Sequence, residues 1–201
     1  MPQKKARKPP SIQTVLIIRC ADYILAILLT LPFVIMSVLL VILNCGDWKS
    51  VFFVQERIGR GGKPFKMWKF RTMTKETQNV PSHLVSPESV TRHGVILRRY
   101  KVDELPQILN VLSGQMSFIG PRPCLPSQLR LRSLRCRHGV QQLRPGISGL
   151  AQILKIDMST EKRLVACEKL AQQRSSVCFY FYLIIVTATG HGRGDAISTM
   201  K

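Results

Sequence analysis

Between Tyr23 and Leu43 the chain reads YILAILLTLPFVIMSVLLVIL, an apolar run without a single charge. A helix of about 20 such residues covers roughly 30 Å, the thickness of a bilayer's hydrocarbon core. Beyond Gly46 the pattern turns to mixed polar and apolar positions broken by Gly and Pro. Val51-Phe-Phe-Val54 and Phe65–Phe70 are short β-prone runs on either side of Gly59-Arg-Gly-Gly62, which predicts a hairpin-like turn. Residues 74–92 are polar and contain prolines, so they predict a surface loop. Val95–Tyr100 and Leu105–Leu112 predict helices flanking Val102-Asp-Glu104. Ser127–Gln142 fits either an Arg-rich helix or an irregular surface stretch, and Glu161–Gln173 has helical composition. A second apolar run, Val177–Thr189, is too short to span a bilayer and suits an interfacial or buried segment.

The long apolar run invites three topologies. A cleaved signal peptide is disfavoured, because the run exceeds a typical h-region and Asn44-Cys45-Gly46-Asp47 is no A-x-A cleavage site. Pro32 sits mid-segment, where it removes a backbone donor and predicts a kink. Basic residues flank both ends, with Lys4 to Arg19 before and Lys49, Arg57, Arg60, Lys63 and Lys66 after. A simple span should show an inside/outside asymmetry of Lys and Arg. The pattern therefore favours a kinked, re-entrant helix with both ends on the cytoplasmic face over a single span. The expected organisation is a basic tail over 1–18, the membrane helix over 19–46 and an interfacial domain over 47–201.

Charge sharpens the picture. Lys and Arg number 30 against 11 Asp and Glu among 201 residues, a formal net charge of +19. With 45% hydrophobic residues the chain is no disordered polycation, and its excess charge calls for an anionic partner. No helix-turn-helix spacing, RNA-binding aromatic motif or zinc finger points to nucleic acid. The six cysteines are scattered without a CxxC and read as free thiols, and the four histidines give no metal pattern. From Leu105 through Ile156 there is no acidic residue, while seven Arg or Lys residues are present. Just ahead of that cationic stretch stands the pair Asp103-Glu104. Such a pairing suits chemistry on a phosphate, with cations on the phosphoryl oxygens and a carboxylate as nucleophile or metal ligand. A solvated basic face for anionic headgroups explains the same charges.

Four strings occur together: QERIGRGGKPFKMWKFRTM (55–73), LRRYKVDELPQILNVL (97–112), GQMSFIGPRP (114–123) and LRPGISGLAQ (143–152). In order and spacing they resemble the bacterial sugar transferase family, the small monotopic polyprenyl-phosphate phosphoglycosyl transferases. The resemblance begins near Ser11 and runs almost to the end. It implies a mostly helical α+β fold: a monotopic membrane protein with a kinked re-entrant N-terminal helix and a small interfacial catalytic domain. The implied reaction moves a sugar-1-phosphate from a UDP-sugar to polyprenyl (undecaprenyl) phosphate at the cytoplasmic face of a bacterial inner membrane. It would be the first membrane step of polysaccharide or lipopolysaccharide assembly, with a covalent aspartyl-phosphosugar intermediate and Mg²⁺ as cofactor. Self-association as a homodimer is left open.

Carried over position by position, the resemblance makes Asp103 the nucleophile and a metal ligand, and Glu104 its partner. Arg98, Arg122 and Arg144 become phosphate-binding residues, with Lys69 and Arg71 as further candidates. The residues themselves allow plainer readings: Asp103 as a helix N-cap before Leu105-Pro106, and the arginines as solvated turns. As a cap, Asp103 would meet free backbone N–H groups that favour its ionised form. The chain departs from the family in two places. Leu31 precedes Pro32 where a serine is usual, and 124–142 is unusually Arg-rich. These departures keep two rivals in view, an inactive family member and a non-catalytic basic membrane scaffold. The Gly190–Asp195 tail also resembles the ending of one branch of the family.

Overall fold

The computed structural model describes residues 11–44, 47–74 and 89–189. The 75–88 part of the predicted loop, Cys45 and the Gly190–Asp195 tail lie outside them. The first element, α1 (Ile12–Leu43), starts well before the expected position 19. Ser11 caps it, its Oγ accepting from the Thr14 N–H at 3.2 Å. The helix continues through Pro32 and is about 48 Å long at the usual rise per residue. Thr30 and Ser37 hydroxyls donate back to the Ala26 and Phe33 carbonyls, so these polar groups stay satisfied within the apolar helix.

One stripe of α1 packs against the rest of the protein. Ala26, Leu29 and Phe33 meet Phe65, Met67, Ile108, Val111 and Met116. Further along, Met36, Leu40 and Val41 meet Val51, Phe70 and Leu97. The other face stays bare: Ile24, Leu28, Leu31, Ile35 and Ile42 are each more than half exposed. A contiguous apolar surface of this kind calls for an apolar surrounding. By length and composition α1 can cross a membrane.

After a single turn, α2 (Trp48–Val51), the chain forms the expected hairpin. Its strands β1 (Phe52–Ile58) and β2 (Pro64–Phe70) pair antiparallel, from Phe52 opposite Phe70 to Ile58 opposite Pro64. Gly61 and Gly62 take φ of 67° and 79°, the left-handed region in which a Cβ is costly, which is why the turn is built from glycine. Next come α3 (Arg92–Arg99), a 3₁₀ turn (Val102–Gln107) and α4 (Ile108–Leu112). Asn110 in α4 clamps this segment to β2. Its Oδ1 accepts from the Trp68 N–H at 3.2 Å, and its Nδ2 donates to the Lys66 carbonyl at 2.7 Å.

Two three-residue strands, β3 (Ser117–Ile119) and β4 (Gly146–Ser148), pair in parallel. Gly120, Gly146 and Gly149 let the two segments touch backbone to backbone, leaving no room for a Cβ. The Arg-rich stretch is helical as α5 (Leu129–Arg137), followed by a turn at Val140–Gln142. Leu131 and Arg135, one turn apart, face α7 (Glu161–Gln173). There Arg135 grips buried Glu168 with both Nε (2.9 Å) and Nη2 (2.5 Å). The short α6 (Leu150–Ile153) precedes α7, and α8 (Val177–Ala188) forms from the second apolar run. Tyr180 and Leu183 of α8 are buried while Phe181, Tyr182 and Ile185 are exposed, which agrees with an interfacial or buried segment. The fold is α+β and mostly helical, as expected. The five described cysteines are free.

Candidate active site

Asp103 lies in the first turn of the 3₁₀ segment, but not as its cap. The cap position belongs to Lys101, held at φ 58°. The N-cap reading of Asp103 is thereby corrected. Among the described residues no hydrogen-bond donor engages its carboxylate, which is half-buried. The expected lowering of its pKa by a helix end is overturned as well. Burial pushes the Asp103 carboxyl up, Lys69 pulls it down, Glu104 pushes it up, and Arg98 and Arg122 pull it down; the result is about 6.

Neighbouring Glu104 is tied down. Its Oε1 accepts from Lys69 Nζ at 3.0 Å and from Arg122 Nη1 at 3.4 Å. Lys69 comes from the end of β2, and Arg122 from the Gly120-Pro-Arg-Pro123 turn after β3. Arg57 in β1 braces that turn by donating to the Pro123 carbonyl at 3.1 Å, and Gln55 in turn accepts from its Nε at 2.9 Å. Arg98, in the last turn of α3, donates from Nε to Thr72 Oγ1 at 2.8 Å. A small cleft lined by Lys69, Glu104, Gln107, Arg122 and Ile147 opens here. Segments far apart in sequence thus bring together one unengaged carboxylate and three cations.

Two candidate residues lie elsewhere. Arg71 donates from Nη2 to the Phe52 carbonyl at 3.3 Å and stacks over Phe53. Arg144 donates to the Gly114 carbonyl at 3.2 Å, and burial together with Arg19 and Arg60 lowers its pKa. Neither is among the groups that shift Asp103. Among the described residues no set of three or more His, Cys, Asp or Glu side chains gathers as a metal cage.

Sequence reasoning passed over Asp22. This carboxylate of α1 is fully buried. It accepts from Arg19 Nη1 (2.8 Å), Ser117 Oγ (2.9 Å), the Phe118 N–H (2.9 Å) and Tyr180 Oη (2.7 Å). Arg19 also donates to the Met116 carbonyl at 3.0 Å, so the group locks α1 to β3 and α8. The one signal available was a carboxylate bordering an uncharged run, where an acid is costly unless paired.

The profile of bacterial sugar transferases matches residues 13–191. The chain belongs to the bacterial sugar transferase family. Among the relatives of this chain, an uncharacterized sugar transferase, EpsL, of Bacillus subtilis (strain 168) is 46% identical over 105 residues, covering 51% of this chain and 50% of that protein. The UDP-glucose:undecaprenyl-phosphate glucose-1-phosphate transferase of Klebsiella pneumoniae is 46% identical over 110 residues, covering 51% of this chain and 23% of that protein. An exopolysaccharide production protein, PSS, of Rhizobium leguminosarum bv. phaseoli is 36% identical over 155 residues, covering 73% of this chain and 76% of that protein. The chain thus spans half or less of the length of the first two relatives it matches.

Proposed function

We propose that this protein is a phosphoglycosyl transferase that moves a sugar-1-phosphate from a UDP-sugar to undecaprenyl phosphate. The observation that carries the reading is the unengaged Asp103 carboxylate, set beside Glu104 and in the field of Lys69, Arg98 and Arg122. A carboxylate oxygen of Asp103 attacks the β-phosphorus of the donor. The new P–O bond replaces the bond to the oxygen bridging the two phosphates, and UMP leaves with that oxygen. An oxygen of the lipid phosphate then attacks the same phosphorus and displaces the Asp103 carboxylate, which gives the diphosphate-linked product and the free enzyme. Arg98, Arg122 and Lys69 offset charge on the phosphoryl oxygens, and Glu104 holds Lys69 and Arg122 in place for that task.

Asp103, together with donor phosphate oxygens, has the chemistry to hold Mg²⁺, which binds through one or two carboxylates plus substrate phosphates. Bound there, the metal supplies charge that eases departure of the nucleotide. The enzyme reading is tested by incubating the protein with a labelled UDP-sugar and no acceptor. Label should stay on the protein through denaturation, with one UMP released per protein, and leave on addition of undecaprenyl phosphate. No UMP release until undecaprenyl phosphate is added argues for direct transfer instead.

The pKa of Asp103 sets a pH profile. Its ionised form is the nucleophile, so kcat/KM for the donor should fall tenfold per pH unit below about 6 when Mg²⁺ is limiting. A profile flat down to pH 4.5 would show that the Asp103 carboxyl is not raised in the free enzyme.

The topology we infer is monotopic and re-entrant, on the cytoplasmic face of a bacterial inner membrane. Its supports are the basic flanks and the stripe that binds α1 to the domain from Asp22 to Leu40, which keeps the helix from standing free of the domain. Single cysteines at Ile12 and Asn44, in an otherwise cysteine-free background, should both react with an impermeant maleimide in inside-out vesicles. Labelling at one end only means a span.

A further inference from the structure

Apart from the small cleft beside Glu104, a second cavity of about 230 Å³ lies between the N-terminal half of α1, the β3–β4 pair, α7 and α8. Much of its wall is hydrocarbon, including Val15 and Ile18 of α1, Leu143, and Phe179 and Leu183 of α8. Three guanidinium groups, Arg19, Arg60 and Arg144, also line it. Two carboxylates border the cavity, and both are spent: Asp22 on Arg19, Ser117 and Tyr180, and Glu168 on Arg135. Among the described residues, Arg60 and Arg144 donate to backbone carbonyls, of Gln142 and Gly114. Burial first, and then the charges of Arg19 and Arg60, lower the pKa of Arg144. Ser175 and Ser176 place the start of α8 on the same wall, adding the positive end of a twelve-residue helix. The cavity therefore carries surplus positive charge beside apolar walls, and those walls belong to the two helices with bare apolar faces.

We propose that this cavity binds the phosphate head of a membrane lipid, with Arg19, Arg60 and Arg144 on the phosphate oxygens and the hydrocarbon chain along Val15, Ile18 and Phe179. It is separate from the cleft lined by Glu104, Lys69 and Arg122. The β3–β4 ribbon divides them, with Gly120, Pro121 and Arg144 facing the lipid side and Arg122, Pro123 and Ile147 the other. A soluble anion would leave the apolar wall unused, and an uncharged lipid would leave Arg60 and Arg144 without a counter-charge. The site does not depend on any chemistry at Asp103.

The test is binding of short amphiphiles to the full chain in a non-ionic detergent, read by native mass spectrometry. Probes are farnesyl phosphate, dioctanoyl phosphatidic acid, farnesol and inorganic phosphate. At least one of the two phosphate-headed lipids should bind about tenfold or more tighter than farnesol and inorganic phosphate. Arg60→Ala with Arg144→Ala should weaken that binding about tenfold or more, while Arg144→Lys keeps part of it. Arg60 is exposed, so Arg60→Ala alone keeps the test alive should the double variant unfold. Preference for the prenyl chain identifies a prenyl phosphate as occupant, and preference for the diacyl chain a bilayer phospholipid; either supports the site. Equal binding of farnesol, or unchanged affinity in folded arginine variants, overturns it. Asp103→Asn should bind these lipids as the parent does, so failure of the enzyme reading would leave the lipid result standing.

Discussion

Asp103→Asn should abolish UMP release, by about a thousandfold or more, and at the same time make the protein harder to unfold. The two effects have one cause. The raised pKa means that the fold bears a cost for keeping this carboxylate charged, with nothing bonded to it. A rise from 3.8 to about 6 corresponds to at most about 3 kcal/mol. For this group the unfolded chain loses its proton first as pH rises. The cost is therefore absent below pH 3.8, grows with pH, and is complete above about 6. Asparagine removes the charge but keeps the shape. Thermal unfolding at pH 7.5 should rise by several degrees, up to roughly 10 °C, and the gain should vanish near pH 4. A variant that is inactive but no more stable at pH 7.5 would mean that the charge is well solvated and the cleft is not strained.

Asp22→Ala should be the most damaging single substitution for the fold. It strips the acceptor from Arg19, Ser117, Tyr180 and the Phe118 N–H at once, in a place where water cannot replace it. Breaking a buried charged group by removing one partner costs about 3–5 kcal/mol. The melting temperature should drop by roughly 10 °C or more, and α1 should detach from β3 and α8 before the rest unfolds. Hydrogen exchange at Phe118 reports this directly. Asp22→Asn keeps an acceptor oxygen and should lose less. Equal stability of Asp22→Ala and the parent would mean that α1 is held by its apolar stripe alone.

Local chemistry made part of this structure legible. Glycines at 59–62 between aromatic runs announced the hairpin, and Glu161–Gln173 carried its helix in its composition. The family strings located Asp103 and Glu104, and three of the five proposed cationic partners, Lys69, Arg98 and Arg122, converge on them. What stayed hidden depends on long-range partners. Asp22 bonds to residues 95 and 158 positions away, so no period or motif marks it. The surroundings of Arg144 come from α1 and the hairpin turn, again beyond local reach. For Asp103 the electrostatics were not legible in the sequence, because a left-handed Lys101 took the cap and burial outweighed the cations around the carboxylate. β3 and β4, at three residues each, are too short to display a strand pattern.

Where Gly120 meets Gly146 and Gly149, the separation between two chain segments is set by the absence of atoms. Arg122 hangs from one of these segments and Arg144 from the other. A single added methyl group at that seam would wedge both guanidinium-bearing loops outward together. The surrounding side chains can therefore be exchanged one at a time, but the spacing of the two arginines can change only for both in the same step.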